Sequence, residues 1–157
     1  MKILFVCLGN ICRSPLAEGI LRKKLEIAGL DKAVEVDSAG FEPFHTGDPP
    51  DHRSVAVAKK YGIDISKLRA RLFNPDDYDT FDQIYVMDHN NYRDVIFRAR
   101  NKADQEKVDF IMNLVEPGMN LKVPDPWYGN AHDFEVTYSM LNKAIDALML
   151  RIKSQVK

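Results

Sequence analysis

The chain has 157 residues, of which 45% are hydrophobic, and its formal net charge is -1. This length is typical of one domain, residues 1–157, and the apolar content is too high for a disordered tail. The near-zero charge argues against a nucleic-acid partner, and no apolar stretch is long enough for membrane insertion.

Four apolar, β-rich runs are spread along the chain. The first ends in five consecutive apolar residues, Ile3 to Cys7, which is typical of a central strand covered on both faces. The predicted strands are Lys2 to Cys7, Ala33 to Asp37, Gln83 to Met87, and Phe110 to Val115.

Helical patterns lie between and after these runs. The first spans Leu16 to Ala28 with Gly29 as its stop, and a second, shorter one ends at Gly62. The clearest is a C-terminal stripe at helical spacing, formed by Phe134, Tyr138, Leu141, Ile145, Leu148 and Ile152. Strands that alternate with helices predict an α/β fold with a mostly parallel sheet and helices on both faces.

The loop after the first predicted strand is the first candidate site, because ligands bind at the carboxyl ends of parallel strands. Gly9 permits close backbone approach, and Asn10 tolerates left-handed backbone angles. Ser14 is the predicted N-cap of the next helix, with Pro15 at its first position. Converging N–H groups and the helix dipole favour a tetrahedral anion. The predicted lining is Cys7, Leu8, Gly9, Asn10, Ile11, Cys12, Arg13 and Ser14.

Three side chains of this loop predict reactivity. The amide field would favour the thiolate of Cys7, and the planar fork of Arg13 can grip two phosphate oxygens. The Ser14 hydroxyl can donate to the sulfur and help it leave. Alone, Cys7 would more often be a core residue and Arg13 a surface charge. Their combination with Ser14 at this spacing favours nucleophilic catalysis.

A second candidate is the segment around Asp125, which two prolines stiffen. Expelling a phenolate requires a proton donor, because the pKa of phenols is about 10. Apolar neighbours are expected to hold a proton on Asp125, and the aromatic rings of Trp127 and Tyr128 to wall a narrow slot. On its own, Asp125 would more often be an ordinary turn residue.

The remaining signals concern metals and compartment. The four histidines show no metal-ligand spacing and are predicted to lie on the surface: His45, His52, His89 and His132. No metal or cofactor is expected. Two cysteines are too few to staple this fold, and the N-terminus lacks a secretory cleavage site, so we expect a cytoplasmic protein. The sequence gives no indication of oligomeric state.

Several motifs match one family in order and spacing. They are Cys7-Leu8-Gly9-Asn10-Ile11-Cys12-Arg13-Ser14-Pro15, Asp37-Ser38-Ala39-Gly40, Tyr61-Gly62-Ile63, Ala70-Arg71, Met87-Asp88 and Pro124-Asp125-Pro126. Through them the chain resembles the low-molecular-weight protein tyrosine phosphatases over nearly its whole length. The resemblance implies a three-layer αβα sandwich with a four-stranded parallel sheet, of the phosphotyrosine protein phosphatase I type.

The resemblance also implies an activity. It implies hydrolysis of phosphotyrosine in proteins, or of small aryl phosphates, through a phosphocysteine intermediate. Cys7 would be the nucleophile, Arg13 the phosphate clamp, and Asp125 the general acid and then the general base. By position, Phe44 would be the aromatic residue that lines the substrate slot.

The resemblance further implies supporting roles. Asn10, Ser14 and Ser38 would form a hydrogen-bond network that holds the loop, and Cys12 would form a protective disulfide with Cys7 on oxidation. Many family members have a histidine in this network where the present chain has Leu68. Since leucine cannot hydrogen-bond, we expect a network that is shorter or is closed by water.

Three rival functions remain to be weighed. An arsenate reductase on the same scaffold that is coupled to thioredoxin needs further cysteines, and none follows Cys12. A phosphocarrier subunit would not need Arg13 or Asp125. A phosphotyrosine-binding module without activity would be expected to lose Cys7 or Asp125. The sequence therefore favours the phosphatase.

Overall fold

A four-stranded parallel sheet forms the centre of the protein, which is described by a computed structural model covering residues 1–156. The strands lie in the order β2-β1-β3-β4. Their bounds are Lys2–Val6 for β1, Glu35–Ala39 for β2, Gln83–Val86 for β3 and Val108–Phe110 for β4. The predicted α/β fold with a four-stranded parallel sheet is confirmed.

Six α-helices accompany the sheet within the described residues. They are α1 Arg13–Ile27, α2 His52–Lys60, α3 Asp77–Thr80, α4 His89–Phe97, α5 Lys102–Glu106 and α6 Ala131–Gln155. Two 3-10 turns, Pro43–His45 and Ile111–Leu114, lie in the connections. No helix in this part of the chain is both long and apolar enough to span a bilayer.

Side chains of β1 point alternately into two apolar cores, one on each face of the sheet. Ile3 and Phe5 pack in a core that also contains buried residues of α1, α2 and α6. Leu4 and Val6 pack in the other core, which Val95 of α4 joins. This alternation follows from the two-residue period of a strand, and it produces the three-layer arrangement.

The C-terminal helix is the clearest agreement between pattern and structure. All six residues of the predicted stripe in α6 are buried. The helix begins with a capping box, in which the Asn130 side chain accepts from the N–H of Asp133 and the Asp133 carboxylate accepts from the N–H of Asn130. This cap fixes where α6 starts, directly after the Asp125 segment.

The fourth predicted strand was placed too late in the chain. The strand covers Val108–Phe110, and the following residues Ile111–Leu114, apolar except for Asn113, form a 3-10 turn whose side chains are also buried. An apolar run shows that a segment is buried, but it does not distinguish a strand from a buried turn. The short helices α3, α4 and α5 were not predicted.

Candidate active site

The carboxyl ends of three strands meet at one edge of the sheet. Val6 pairs in register with Ala39 on one side and with Val86 on the other. The residues that follow each strand are therefore neighbours, and they include Cys7 after β1 and Asp88 close behind β3. This edge is where the sequence places the candidate site.

The loop from Cys7 to Ser14 is held in shape partly by its backbone. Asn10 has a φ of 55°, which confirms its predicted left-handed conformation. The end of β2 runs so close to the loop that a Cβ on Gly40 would lie 2.8 Å from the Leu8 carbonyl oxygen. Phe41 N–H donates to that same oxygen over 2.7 Å. Only glycine at position 40 permits this approach without displacing the backbone.

The predicted network of Asn10, Ser14 and Ser38 is present. Asn10 Nδ2 donates to Ser14 Oγ over 2.8 Å and to Ser38 Oγ over 2.9 Å. Asn10 Oδ1 accepts from the N–H of Arg71 over 3.0 Å. One asparagine side chain therefore links the loop, β2 and the segment before α3.

A buried carboxylate, that of Glu18, extends this network. Ser38 Oγ donates to Glu18 Oε1 over 2.7 Å, and Arg22 Nε donates to Glu18 Oε2 over 2.8 Å. The side chain of Leu68 packs against the apolar core instead. Leu68 takes no part in the network, as expected, but the network continues to Glu18, one turn along α1 from Ser14, which was not predicted.

Ser14 contacts the Cys7 sulfur and does not cap helix α1. Helix α1 begins at Arg13, and its N-cap residue, Cys12, makes no side-chain capping bond. Ser14 Oγ lies 3.0 Å from Cys7 Sγ. Since Ser14 Oγ already accepts from Asn10, its own proton is free to point at the sulfur. The predicted N-cap role of Ser14 was wrong, and Pro15 lies at the third helical position.

One guanidinium nitrogen of Arg13, Nη1, is anchored by two hydrogen bonds. The Arg13 side chain is 2% exposed, and Nη1 donates to Asp88 Oδ2 over 2.7 Å and to the Val123 carbonyl oxygen over 2.8 Å. The residue lines the pocket. Holding Nη1 in this way leaves the Nε and Nη2 donors for a bound anion. Asp88 also caps α4 by accepting from the N–H of Asn91.

Asp125 reaches the same pocket from the loop before α6. Its carboxylate Oδ2 lies 3.6 Å from Arg13 Nη2, and its Oδ1 accepts from the N–H of Trp127 over 3.1 Å. The side chain is 39% exposed. The expected apolar surroundings of this carboxyl group are therefore not present, because the segment lies at the mouth of the pocket beside a guanidinium.

These groups surround a cavity of about 230 Å³. It is lined by Cys7, Leu8, Gly9, Ile11, Cys12, Arg13, Glu42, Phe44, His45, Asp125, Trp127 and Tyr128. The rim is aromatic and open to solvent, and Tyr128 is 96% exposed. The predicted pocket residues Phe44, Trp127 and Tyr128 are found in this lining, whereas Asn10 and Ser14, also predicted to line the site, are not.

His45 corrects the prediction that all four histidines lie on the surface. Its imidazole is partly buried in the pocket wall, between Glu42 and Asp48, and a Cβ on Gly9 would lie 3.3 Å from its ring. His52, His89 and His132 are exposed as predicted. No sequence pattern indicated a pocket position for His45, since that position arises from the fold of a loop that has neither helix nor strand periodicity.

Cys12 is the second thiol of the pocket and is buried. Burial, together with the neighbouring Cys7, raises the pKa of the Cys12 thiol well above its ordinary value. Cys12 is therefore protonated at neutral pH, and it is a poorer nucleophile than a solvent-exposed cysteine. Residues 1–156 contain no group of three or more His, Cys, Asp or Glu side chains arranged to hold a metal ion.

Comparisons with known proteins agree with this geometry. The model of the family described as low molecular weight phosphotyrosine protein phosphatase matches residues 2–157. A Synechocystis sp. protein that carries a low molecular weight protein-tyrosine-phosphatase name is 41% identical, over 99% of each chain. The Homo sapiens low molecular weight phosphotyrosine protein phosphatase is 37% identical, over 94% of this chain and 93% of its own.

A solved structure shows the same similarity in three dimensions. The crystal structure of a protein tyrosine phosphatase from Entamoeba histolytica, with Hepes in its active site, superposes with a TM-score of 0.91. It is 32% identical and covers 99% of this chain and 98% of its own.

Proposed function

The chain belongs to the low molecular weight phosphotyrosine protein phosphatase family, and from that membership we propose that Cys7, Arg13 and Asp125 carry out its phosphatase reaction. The observation that carries the proposal is that all three side chains line one cavity. We take the substrates to be phosphotyrosine in proteins and small aryl phosphates, since an aromatic rim surrounds an anion site.

The first step transfers the phosphoryl group to the sulfur. A bond forms between Cys7 Sγ and phosphorus while the bond from phosphorus to the phenolic oxygen breaks. Asp125 gives its proton to that oxygen, so a neutral phenol leaves. Arg13 and the N–H groups of the loop hold the three non-bridging oxygens as their charge redistributes.

The second step releases phosphate and restores the enzyme. Water attacks the phosphocysteine, and Asp125, now ionised, takes the proton from the water. The bond from sulfur to phosphorus breaks, and Cys7 leaves as a thiolate. The Ser14 hydroxyl, 3.0 Å from the sulfur, can donate to this leaving group. The products are inorganic phosphate and the starting enzyme.

We place the protein in the cytoplasm, because its two cysteines are unpaired thiols and a reducing compartment would keep them so. The cysteine content also disfavours a thioredoxin-coupled arsenate reductase, since no cysteine follows Cys12. A phosphocarrier subunit is also disfavoured, because it would not need a proton donor such as Asp125.

The test is hydrolysis of para-nitrophenyl phosphate with EDTA present, in the wild type and in Cys7→Ser. We expect activity in the wild type, inhibition by vanadate, and no turnover in Cys7→Ser, which should still bind phosphate. Full activity of Cys7→Ser would contradict the nucleophile assignment. Asp125→Ala should slow hydrolysis by roughly 10²–10⁴-fold for phenolic leaving groups, and by less for acidic ones.

A further inference from the structure

Three segments meet beside the pocket: the Cys7 loop, the beginning of α2, and residues 125–129, here called the acid segment. We propose that Arg53, in the first turn of α2, is a positioning residue that holds the acid segment and thereby places Asp125 over the pocket. This inference rests on the proton-transfer role proposed above for Asp125.

The beginning of α2 is fixed to the Cys7 loop. The N–H of Asp51 donates to the Ile11 carbonyl oxygen over 2.8 Å. Ser54 Oγ donates to the Cys12 carbonyl oxygen over 3.1 Å, and this contact is buried. Any group attached rigidly to this turn of α2 is therefore held at a constant position relative to the loop that contains the nucleophile.

Arg53 is attached in that way through Asp51. Asp51 Oδ1 accepts from the backbone N–H of Arg53 over 2.8 Å and from its Nε over 3.0 Å, and Asp51 Oδ2 accepts from Nη2 over 3.0 Å. Burial acts to raise the pKa of Asp51, but the hydrogen bonds from Arg53 outweigh it and lower that pKa. The paired charges fix the plane of the guanidinium.

The Nη1 donor and the face of this guanidinium contact the acid segment. Arg53 Nη1 donates to the Gly129 carbonyl oxygen over 3.2 Å. The guanidinium carbon lies 5.6 Å from the centre of the Trp127 ring and 4.6 Å from that of Phe134, the latter at the start of α6. Arg53 therefore contacts the acid segment at two places and the helix that follows it at a third.

Asp125 itself has few other restraints. Its Oδ1 accepts from the N–H of Trp127, so the position of Trp127 sets that of the carboxylate. Within residues 1–156 the only other hydrogen-bond or ion-pair partner of this carboxylate is Arg13 Nη2, at 3.6 Å. Arg53 does not line the cavity. The acid segment is the part of the pocket wall that the Arg53 side chain contacts directly, so a loss specific to proton transfer would pass through it.

The experiment compares kcat/KM for two substrates, phenyl phosphate and para-nitrophenyl phosphate, because this parameter reports the step in which the leaving group departs. Arg53→Met keeps an apolar stem over both rings but removes every hydrogen bond that the Arg53 side chain donates. We expect a loss of about 10- to 100-fold with phenyl phosphate and a clearly smaller loss with para-nitrophenyl phosphate, whose leaving group needs less protonation.

Combining this variant with Asp125→Asn separates positioning from general damage. If Arg53 acts through Asp125, Arg53→Met should cause no further loss in the Asp125→Asn background. Losses that multiply, or an equal loss with both substrates, would overturn the proposal. If Asp125→Asn alone loses the same factor with both substrates, the acid role of Asp125 fails, and that result is separate from any result on Arg53.

Two further variants control for folding. Arg100→Met removes arginine–carboxylate contacts, with Asp79 and Asp104, in segments that precede β3 and β4 and so lie away from the pocket. It should leave the ratio of the two kcat/KM values unchanged. Arg53→Lys keeps the charge and one donor, and should recover part of the loss with phenyl phosphate. An Arg53→Lys variant as impaired as Arg53→Met with both substrates would contradict the proposal.

Discussion

Cys12 shares the pocket with Cys7 but is suited to a different reaction. Its raised pKa, caused first by burial, keeps it protonated at neutral pH. Peroxide should therefore attack Cys7 first and convert it to a sulfenic acid. The Cys12 thiol can then displace hydroxide from that sulfur, which forms a disulfide and releases one water molecule. Thiol reductants reverse this product, whereas further oxidation of a sulfenic acid is irreversible.

This sequence of events predicts the behaviour of Cys12→Ser. After brief peroxide treatment and then a thiol reductant, the wild type should recover most of its starting activity. Cys12→Ser should recover much less, because nothing protects the oxidised Cys7. Each protein is compared with its own untreated activity towards para-nitrophenyl phosphate. Equal recovery of the two proteins would exclude a protective disulfide.

The candidate residues could be read from sequence, but their surroundings could not. Cys7, Arg13 and Asp125 follow from the chemistry of a strand end, a helix start and a proline-flanked carboxyl group. The prediction failed where a contact joins segments distant in sequence. Examples are the hydrogen bonds from Arg13 to Asp88 and from Ser38 to Glu18. Asp88 could have been found, since it follows a predicted strand and therefore lies at the same edge.

Glu18 joins α1 to β2, and its ionisation should affect how stable that junction is. Burial raises the pKa of Glu18 above its ordinary value of 4.5, although hydrogen bonds from Ser38 and Arg22 act in the opposite direction. A carboxyl group with a raised pKa in the folded state favours folding at low pH, and this contribution is lost as pH rises through the folded pKa.

Replacement by glutamine should remove this pH dependence. We expect the free energy of unfolding of wild type, minus that of Glu18→Gln, to fall as pH rises from about 4 to about 7. Urea unfolding at both pH values measures the difference. Glu26→Gln, at an exposed position of the same helix, is the matched control and should show little change. A difference that grows with pH would contradict the assigned direction.

The packing of α1 against the loop after α2 depends on Gly19. A Cβ at this position would lie 2.4 Å from Ile65 Cγ2 and 3.1 Å from Ile63 Cγ2, and both isoleucines are buried. Alanine gains about 1 kcal/mol of helix propensity over glycine, but overpacking a core costs about 1–3 kcal/mol. The steric cost should therefore dominate.

We accordingly expect Gly19→Ala to lower the free energy of unfolding by about 1 kcal/mol. Urea denaturation followed by circular dichroism measures this change. Ile65→Ala removes the clashing methyl group, so the double variant should lose less than the sum of the two single variants. A stabilised Gly19→Ala protein would mean that the isoleucines move aside at little cost.

Elements with a long and clear apolar pattern were the ones that sequence could place. Strand β1 and helix α6 each bury a continuous set of side chains, and both lie within one to three residues of the predicted bounds. Strand β4 has three residues, too few to show a period, and the apolar residues after it hid its end. Helices α3 and α5 are also short, with four and five residues. The Asn101 side chain caps α5, and each helix is held by an ion pair, Arg71 with Asp77 and Arg100 with Asp104.

The whole molecule brings one anion site together from distant parts of the chain. Arg13 Nη1 is held by Asp88 and by Val123, while the loop backbone is held by β2 and α2. An anion that binds this site stabilises the folded protein only, since the unfolded chain has no such site. Phosphate should therefore raise the melting temperature.

At a phosphate concentration 100 times its Kd, linkage predicts about 2.7 kcal/mol of stabilisation. For a chain of this size, that corresponds to a rise of about 5–10 °C in Tm. Differential scanning calorimetry with phosphate, against sodium chloride at matched ionic strength, measures the effect. An equal Tm in the two salts would argue against an anion site at the Cys7 loop.

The bond from Arg13 to the Val123 carbonyl has a consequence for the order in which the protein matures during synthesis. Arg13 leaves the ribosome early, and the acceptor that completes its burial leaves more than 100 residues later. Until then, a nascent chain has Cys7 but neither the full guanidinium anchor nor Asp125. Newly made chains should therefore be inert towards cellular phosphoproteins until translation is almost finished.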